Sequence, residues 1–274
     1  MSPLKIGVIG GLDDQPRQMI KKAADLGLQG CQLACWEPDL YTDKASDEVV
    51  AACDEFNIEI NTVFAGAPGR MVWDFYEGPL TIGIVPIENR EVRVNGLIAG
   101  ADFAKKIGVS SIMTHVGFIP EDPNSDLYKD VVENLKRVCA YCADLGLEFW
   151  FETGQETPVT LLRTIEDVGA DNMGINMDPA NLVMYGKANP VDALDVIGRY
   201  VRGVHAKDGL YPTDGKNLGP ETAMGEGKVD FPVLITRLKN EFGFTGHLTI
   251  EREITGPQQI EDIKKAKEIL GPLC

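Results

Sequence analysis

The sequence predicts one α/β domain, a (β/α)8 barrel of the TIM barrel type, and three observations support that fold class. Eight short apolar runs alternate strictly with eight helical patterns along the chain. The chain has 274 residues, 44% of them hydrophobic, which suits one large α/β domain. No linker rich in Pro, Gly or Ser divides it. We therefore expect a single barrel domain over residues 1–274, with a doubly wound open sheet as the alternative.

The strands are predicted from a junction that recurs along the chain, in which a helical pattern ends at Gly and an apolar run follows at once. ADLG precedes LQGCQLA, and CADLG precedes LEFWFE. Gly readily adopts the left-handed conformation that ends a helix, and the β-branched and aromatic residues after it suit a buried parallel strand. This pattern predicts strands near 4–9, 28–34, 58–64, 109–115, 147–152, 173–178, 201–206 and 246–252.

Amphipathic helical patterns separate these strands. They lie near 14–26, 44–56, 89–107, 126–145, 157–168, 189–198, 231–242 and 257–270. Such alternation favours a parallel sheet with right-handed crossovers, and eight units close naturally into a barrel. The segments 65–88 and 207–229 are less regular, and each follows a strand. We expect both to form long loops over the C-terminal mouth of the barrel, where active sites lie.

Charge and hydropathy limit the partners that the sequence favours. Asp and Glu outnumber Lys and Arg by 42 to 26, so the formal net charge is −16, which repels a phosphate backbone. Nucleic acid is therefore not an expected partner. No run approaches the ~20 apolar residues of a membrane-spanning helix, and the first apolar run is too short for a signal peptide. We expect a cytoplasmic protein without a membrane partner.

Four predicted strands in the second half of the chain end in residues that can bind a metal ion. Glu152 ends LEFWFE, Asp178 ends MGINMD, His205 lies in VRGVHA, and Glu251 ends HLTIE. Neighbouring strand ends in a barrel are close in space, so these side chains should converge. Any one alone is more simply a solvated carboxylate or a hydrogen-bonded histidine, but three converging carboxylates need a compensating cation. The set predicts one divalent metal ion, Mn2+ by preference, with Mg2+, Co2+ or Zn2+ as alternatives.

Six motifs resemble those of the xylose isomerase-like barrel superfamily, especially its sugar phosphate isomerase/epimerase members, and the resemblance covers essentially the whole chain. They are THVG at 114–117, FETGQET at 151–157, NMDPANL at 176–182, VHAKDG at 204–209, GEGKVDFP at 225–232 and TIERE at 249–253. In that superfamily Glu, Asp, His and Glu from the last four strands hold the metal. They correspond here to Glu152, Asp178, His205 and Glu251, in agreement with the strand-end argument.

The resemblance implies an isomerase or epimerase that acts on a sugar or a sugar phosphate. Such enzymes remove a proton beside a carbonyl, and the metal stabilises the enediolate that forms. By similarity to ketose 3-epimerases, Glu152 and Glu251 would be metal ligands and proton carriers at once. The expected partner is a small-molecule carbohydrate, and self-association of the chain remains open.

Four further residues are candidates for substrate binding. His115 ends the fourth predicted strand, and Trp36 follows the second and would stack on a sugar face. Lys207 opens the segment 207–229, where it would neutralise an anionic group of the substrate. Asn181 stands where ketose epimerases commonly carry His, three positions after the metal-binding Asp. That departure weakens the transfer of their substrate contacts to this chain.

The sequence has three alternative interpretations of function. An inosose dehydratase-like lyase would use the same metal and the same proton abstraction, followed by loss of a hydroxyl. A DNA repair hydrolase like endonuclease IV would need more histidines, yet none lies between His205 and His247. A binding barrel without catalysis is the third alternative, because a fold does not fix a function, but the complete ligand set argues against it.

Overall fold

Eight parallel strands close into a barrel in this computed structural model, which describes residues 3–12, 15–66 and 68–274. The order around the barrel follows the chain, since β1 pairs with β2 and so on to β7, and β10 then pairs with both β7 and β1. The fold class predicted from the sequence is confirmed. The barrel strands are β1 (Lys5–Gly11), β2 (Gly30–Cys35), β3 (Glu59–Ala65), β4 (Ser111–Thr114), β5 (Glu148–Glu152), β6 (Met173–Met177), β7 (Val201–Ala206) and β10 (His247–Ile250).

Helices connect the strands and pack around the barrel. The predicted first helix includes residue 14, which lies outside the described residues. The helices are α1 (Pro16–Asp25), α2 (Asp43–Phe56), α3 (Gly78–Thr81), α4 (Ile87–Lys106), α5 (Asp126–Asp144), α6 (Pro158–Val168), α7 (Pro179–Met184), α8 (Pro190–Ile197), α9 (Phe231–Phe242) and α10 (Pro257–Leu270). All eight predicted helical patterns therefore correspond to a helix, and α3 and α7 are short additions. Among the described residues, no helix is both long enough and apolar enough to cross a bilayer.

The helix that follows β5 shows how local sequence sets these boundaries. Thr157 precedes α6, and its side chain accepts a hydrogen bond from the backbone N–H of Thr160. Pro158 occupies the first turn, where a missing N–H costs nothing. Gly169 ends the helix in the left-handed conformation, with φ of 66°. A short link over 169–172, which contains a turn, then leads into β6, as the Gly junctions predict.

The predicted strands 173–178 and 246–252 end earlier than expected, at Met177 and Ile250, so two predicted metal ligands lie just past a strand. Asp178 follows β6 and caps the N-terminus of α7, accepting a hydrogen bond from the backbone N–H of Asn181 at 2.8 Å. Glu251 follows β10 directly. Both side chains still lie at the C-terminal mouth, because one residue past a strand moves the chain by only ~3.3 Å.

The two irregular segments form long loops at the C-terminal mouth, as predicted, although each contains short regular elements. Loop 3, the connection between β3 and α4, contains α3. Loop 7, the connection between β7 and α9, contains a two-stranded antiparallel sheet of β8 (Asp208–Gly209) and β9 (Glu221–Thr222). The loops touch, since the backbone N–H of Phe75 donates to the carbonyl of Lys216 at 2.9 Å. They therefore partly cover the mouth.

Candidate metal site

The four predicted metal ligands come together at the C-terminal mouth of the barrel. Glu152 is the last residue of β5, His205 lies near the end of β7, and Asp178 and Glu251 follow β6 and β10. Each offers one potential ligand atom, and these atoms all lie within 4.8 Å of one another. Adjacent strands of a closed barrel hold them there, so the convergence follows from the strand order.

The atoms that face one another in this cluster have no hydrogen-bond partner among the described residues. They are Oε1 of Glu152, Oδ2 of Asp178, Nδ1 of His205 and Oε2 of Glu251. Nδ1 of His205 lies 2.7 Å from the Glu152 atom and 2.8 Å from the Glu251 atom, but neither contact has hydrogen-bond geometry. Buried polar atoms are rarely left unpaired, so four in one place indicate a missing partner. A divalent cation fits this donor set of carboxylate oxygens and one imidazole nitrogen.

The other polar atoms of the two innermost carboxylates are hydrogen-bonded. Asn176 donates its side-chain N–H to Oε2 of Glu152 at 2.6 Å. The backbone N–H of Asn181 donates to Oδ1 of Asp178 at 2.8 Å. These contacts fix each carboxylate with one oxygen turned into the cluster, as hydrogen-bond partners commonly do for metal ligands.

A glutamine on the opposite side of the barrel fixes the imidazole. Nε2 of His205 lies 2.5 Å from Oε1 of Gln32, and both side chains are fully buried. A carbonyl oxygen only accepts, so Nε2 must carry a proton. Burial would lower the pKa of His205, but Glu152 and Glu251 beside Nδ1 raise it well above its ordinary value. A bound metal ion would replace the proton on Nδ1 and take that nitrogen as its ligand.

The charges of the cluster also favour a cation. Burial raises the pKa of Glu152, and raises the pKa of Asp178 well above its ordinary value. Among the described residues, Lys207 is the one lysine or arginine paired with the cluster, and its Nζ lies 3.5 Å from Glu251 and 3.7 Å from Asp178. Burial would also raise the pKa of Glu251, but Lys207 and the imidazole hold it well below its ordinary value. Lys207 and the imidazole face three carboxylates, so a divalent ion in place of the proton on Nδ1 would remove the remaining negative charge.

A chamber of about 360 Å³ opens above the cluster. All four residues that the sequence nominates for substrate binding line it, namely His115, Trp36, Asn181 and Lys207, and Glu251 lines it too. The remaining walls are apolar or aromatic apart from one glutamate. They comprise Ile9, Ala34, Phe64, Trp73, Met184, Tyr185, Leu218 and Glu253. The other three predicted metal ligands lie beneath this lining and are almost fully buried.

Comparison with known proteins identifies the family. Residues 20–271 match the family model described as xylose isomerase-like TIM barrel. The chain belongs to this family. The crystal structure of a xylose isomerase domain protein from Planctomyces limnophilus is similar to this xylose isomerase-like barrel, and the two sequences are 36% identical. The similarity covers 99% of this chain and 98% of that chain, with a TM-score of 0.91.

Two more distant matches complete the comparison. An uncharacterized protein from Methanocaldococcus jannaschii is 27% identical over 192 residues, which span 66% of this chain and 62% of that protein. The structure of a D-allulose 3-epimerase from Methylomonas sp. in complex with D-allulose is also similar, with a sequence identity of 16% and a TM-score of 0.70. It covers 99% of this chain and 98% of its own. At that identity the likeness shows the fold alone.

His115 of this xylose isomerase-like barrel lies in the chamber as a neutral ring. Burial lowers the pKa of His115 to about 3. Its ring centroid lies 5.0 Å from that of Trp73, and its Nδ1 has no hydrogen-bond partner among the described residues. The imidazole is therefore positioned to exchange a hydrogen bond with a ligand in the chamber.

Lys207 differs from the sequence expectation in one respect. It is buried and already paired with carboxylates of the protein, whereas the sequence suggests a side chain free to meet an anionic group of the substrate. Its shortest contact, at 2.5 Å, is with Glu253, and its Nζ lies 3.4 Å from the side-chain oxygen of Asn181. Lys207 therefore neutralises carboxylates of the protein, and its charge is largely unavailable to an anionic group on a ligand.

Sequence reasoning missed several residues that shape this site. Gln32 shows one signal, a polar residue inside the apolar run LQGCQLAC, and Glu253 lies two positions after a predicted ligand in TIERE. Trp73 and Tyr185 carry no comparable signal, because a loop or helix aromatic is usually a packing residue. Their positions in the chamber depend on how loop 3 and α7 fold over the barrel.

Proposed function

We propose that this xylose isomerase-like barrel is a divalent-metal-dependent isomerase or epimerase that acts on a carbohydrate. The observation that carries the proposal is the set of four unpartnered ligand atoms beneath an aromatic-walled chamber. A D-allulose 3-epimerase among the solved structures of this fold supports a sugar as the substrate. Carboxylate oxygens with a single imidazole suit Mn2+, our preferred ion, and Mg2+, Co2+ and Zn2+ are alternatives.

The proposed reaction moves a proton on carbon beside a carbonyl group. When bound, the ion would polarise the substrate oxygens and stabilise the negative charge that develops on them. Glu152 and Glu251 would carry the proton, one removing it from carbon and the other returning it. Oε1 of Glu152 and Oε2 of Glu251 both face the centre of the cluster, and neither has another hydrogen-bond partner among the described residues.

Other side chains would bind and orient the sugar. The unpartnered Nδ1 of His115 and the amide of Asn181 face the chamber and suit hydroxyl groups. Trp36 would pack against the apolar face of the ring. Loops 3 and 7 meet over the mouth and would exclude water while the proton moves.

Proton exchange with solvent tests this proposal directly. The metal-loaded protein is incubated in D2O with a panel of ketoses, ketose phosphates and inososes, and NMR follows deuterium at carbon. We expect incorporation without loss of water for at least one sugar. Glu152→Gln removes a proton carrier and should slow exchange by about 10²–10⁴-fold.

Glu148→Gln is a matched control, because Glu148 lies at the start of the same strand and is part-exposed, four residues from Glu152. It should exchange at the wild-type rate. Loss of water from the substrate would assign a lyase instead. Absence of exchange with every sugar tested, in protein shown to contain metal, would overturn the proton-transfer proposal.

A further inference from the structure

The chamber adjoins a second cavity outside it. This outer cleft, about 360 Å³ in volume, is lined by Trp36, Glu37, Gly69, Met71 and Trp73. Both tryptophans also line the inner chamber, so they form the wall that the two cavities share. Each cavity alone falls near the lower end of the ~300–1,000 Å³ of small-molecule sites. Together they offer room for more than one sugar ring.

The shared wall is held in place by the residues around it. The ring centroids of Trp36 and Trp73 lie 6.3 Å apart with an interplanar angle of 73°. Trp36 packs directly against the backbone at Gly66, where any Cβ would overlap the indole ring. Both tryptophans remain more than a third exposed, at 37% and 41%. Rigid, half-exposed aromatic rings are suited to pack against the C–H face of a bound ring.

A buried arginine holds the segment of loop 3 that lines the outer cleft. Arg93 is fully buried, and its guanidinium donates to the carbonyls of Pro68 at 3.3 Å and Arg70 at 3.2 Å. It also donates to the carbonyls of Thr81 and Gly83, at 2.7 and 2.6 Å. Its hydrogen bonds therefore tie both ends of loop 3 to α4. The cleft is preformed, which lowers the entropic cost of binding.

The charges of both cavities disfavour a phosphorylated ligand. Among the described residues that line them, Lys207 is the only lysine or arginine. Its Nζ is already within 2.5 Å of Glu253 and 3.5 Å of Glu251. The outer cleft adds the carboxylate of Glu37 and no basic side chain from the described residues. A phosphate would meet carboxylates without a free cation, whereas a neutral ring meets aromatic and thioether surface.

We infer that the outer cleft binds a second ring of the substrate, and that the substrate is an uncharged glycoside or oligosaccharide. The reacting sugar would lie in the chamber above the metal cluster, and the next ring would lie across the rim of the wall formed by Trp36 and Trp73, near Met71. The inference rests on the proposed function, because it assigns the substrate class of the same site. Loop 3 would then determine how many sugar rings the site accepts.

Calorimetry with sugars of one and two rings tests the inference. D-fructose is compared with turanose, lactulose and isomaltulose, which join a second ring to fructose through different linkages, using the Mn2+-loaded protein. We expect at least one disaccharide to bind about tenfold or more tightly than D-fructose. Met71→Trp fills the outer cleft, and Trp73→Ala removes half of the shared wall. Each should bring the ratio of the two dissociation constants close to unity.

Leu80→Ala is the control, because Leu80 is exposed on the same loop and lines neither cavity. It should keep the wild-type ratio, and circular dichroism checks the fold of every variant. Three results would overturn the inference: D-fructose binding as tightly as every disaccharide, an advantage that survives both cleft variants, or binding of none of the sugars.

Binding requires no turnover, so the two proposals fail separately. One outcome is a disaccharide that binds more weakly to Met71→Trp than to the wild type and never exchanges a proton in D2O. It would contradict the proposed reaction and support the assignment of the cleft. Proton exchange of D-fructose without any advantage for a second ring contradicts the cleft and supports the reaction.

Discussion

The protonation and hydrogen bonding of single side chains determine whether the centre of this barrel can bind a metal ion. His205 and Gln32 come from β7 and β2, three strands apart around the barrel, and their contact holds the imidazole with Nδ1 turned toward the carboxylates. A divalent ion that replaces the proton on Nδ1 would be bound by this imidazole and by the three carboxylates beside it. An arrangement of this kind has no advantage in a packed apolar core, because it leaves buried polar atoms unpaired.

His115 gives a prediction for the pH dependence of stability. Burial lowers the pKa of His115 to about 3, whereas the unfolded chain should titrate near ~6.5. The unfolded state then binds more protons, so this contribution to stability is fully present above about pH 6.5 and is lost as the pH falls toward 3. At pH 5 the loss is about 2 kcal/mol.

Replacement of the imidazole should remove that loss. Between pH 7.5 and pH 5, the free energy of unfolding should fall by about 2 kcal/mol less in His115→Asn than in the wild type. Urea unfolding with EDTA present measures this without a change in metal content. His115→Gln should behave in the same way. Equal pH sensitivity of the wild type and both variants would show that His115 is not a buried neutral ring.

At the scale of the elements, one carboxylate organises loop 7. Asp208 is almost fully buried and accepts hydrogen bonds from the backbone N–H groups of Gly225, Gly227 and Val229, at 2.9–3.1 Å. It accepts another from Gly209. A Cβ at Gly227 would overlap the carboxylate, so glycine is required for this close approach. The motif GEGKVDFP is thus the part of the loop that Asp208 anchors.

Loss of this anchor should loosen loop 7 and destabilise the protein. Asp208→Ala leaves several backbone donors without a charged acceptor, and we expect a loss of about 2–4 kcal/mol in the free energy of unfolding. Trypsin should cleave after the exposed Lys216 sooner than in the wild type. Urea titration and timed digestion measure the two effects.

Asp214→Ala is the matched control for this variant. The Asp214 carboxylate also accepts backbone hydrogen bonds, from Lys216 and Asn217, but at the exposed tip of the same loop. Water replaces those contacts there, so the change in stability should stay within about 0.5 kcal/mol. If the two variants were equally stable, Asp208 would not be the anchor.

For the whole molecule, a bound ion would join four strands that are otherwise linked only through the sheet. The ligands extend from β5 and β6 to β7 and β10, which are consecutive around the barrel. A ligand that binds only the folded state stabilises it by about 2.7 kcal/mol at a concentration 100 times its dissociation constant. For a chain of this size that corresponds to a rise in Tm of about 5–10 °C.

Thermal unfolding in a Mn2+ or Mg2+ titration measures this stabilisation. Gln32→Leu removes the acceptor for His205, so about 10–100-fold more metal should be needed for the same rise in Tm. Gln32→Glu keeps an acceptor oxygen and should respond as the wild type does. A Tm that no divalent ion raises would argue against a metal site at this cluster.

The alternation of strands and helices, and with it the closed barrel, was determined by the sequence itself. Each element depends on nearby residues, such as the Gly junctions and the cap at Thr157, so local patterns suffice to place it. The convergence of Glu152, Asp178, His205 and Glu251 also follows, because strand ends in a parallel barrel share one mouth. The sequence offered no such rule for the short elements α3, α7, β8 and β9, whose formation depends on packing over that mouth.

Only the tertiary structure decided the partners of these side chains. His205 and Gln32 are 173 residues apart in the chain, and Lys207 is paired with Glu253 rather than left free for a substrate anion. The aromatic wall of Trp36 and Trp73 joins two separate loops, and it divides the chamber from the outer cleft. Such contacts depend on the way distant segments pack in space, which no periodicity along the chain encodes.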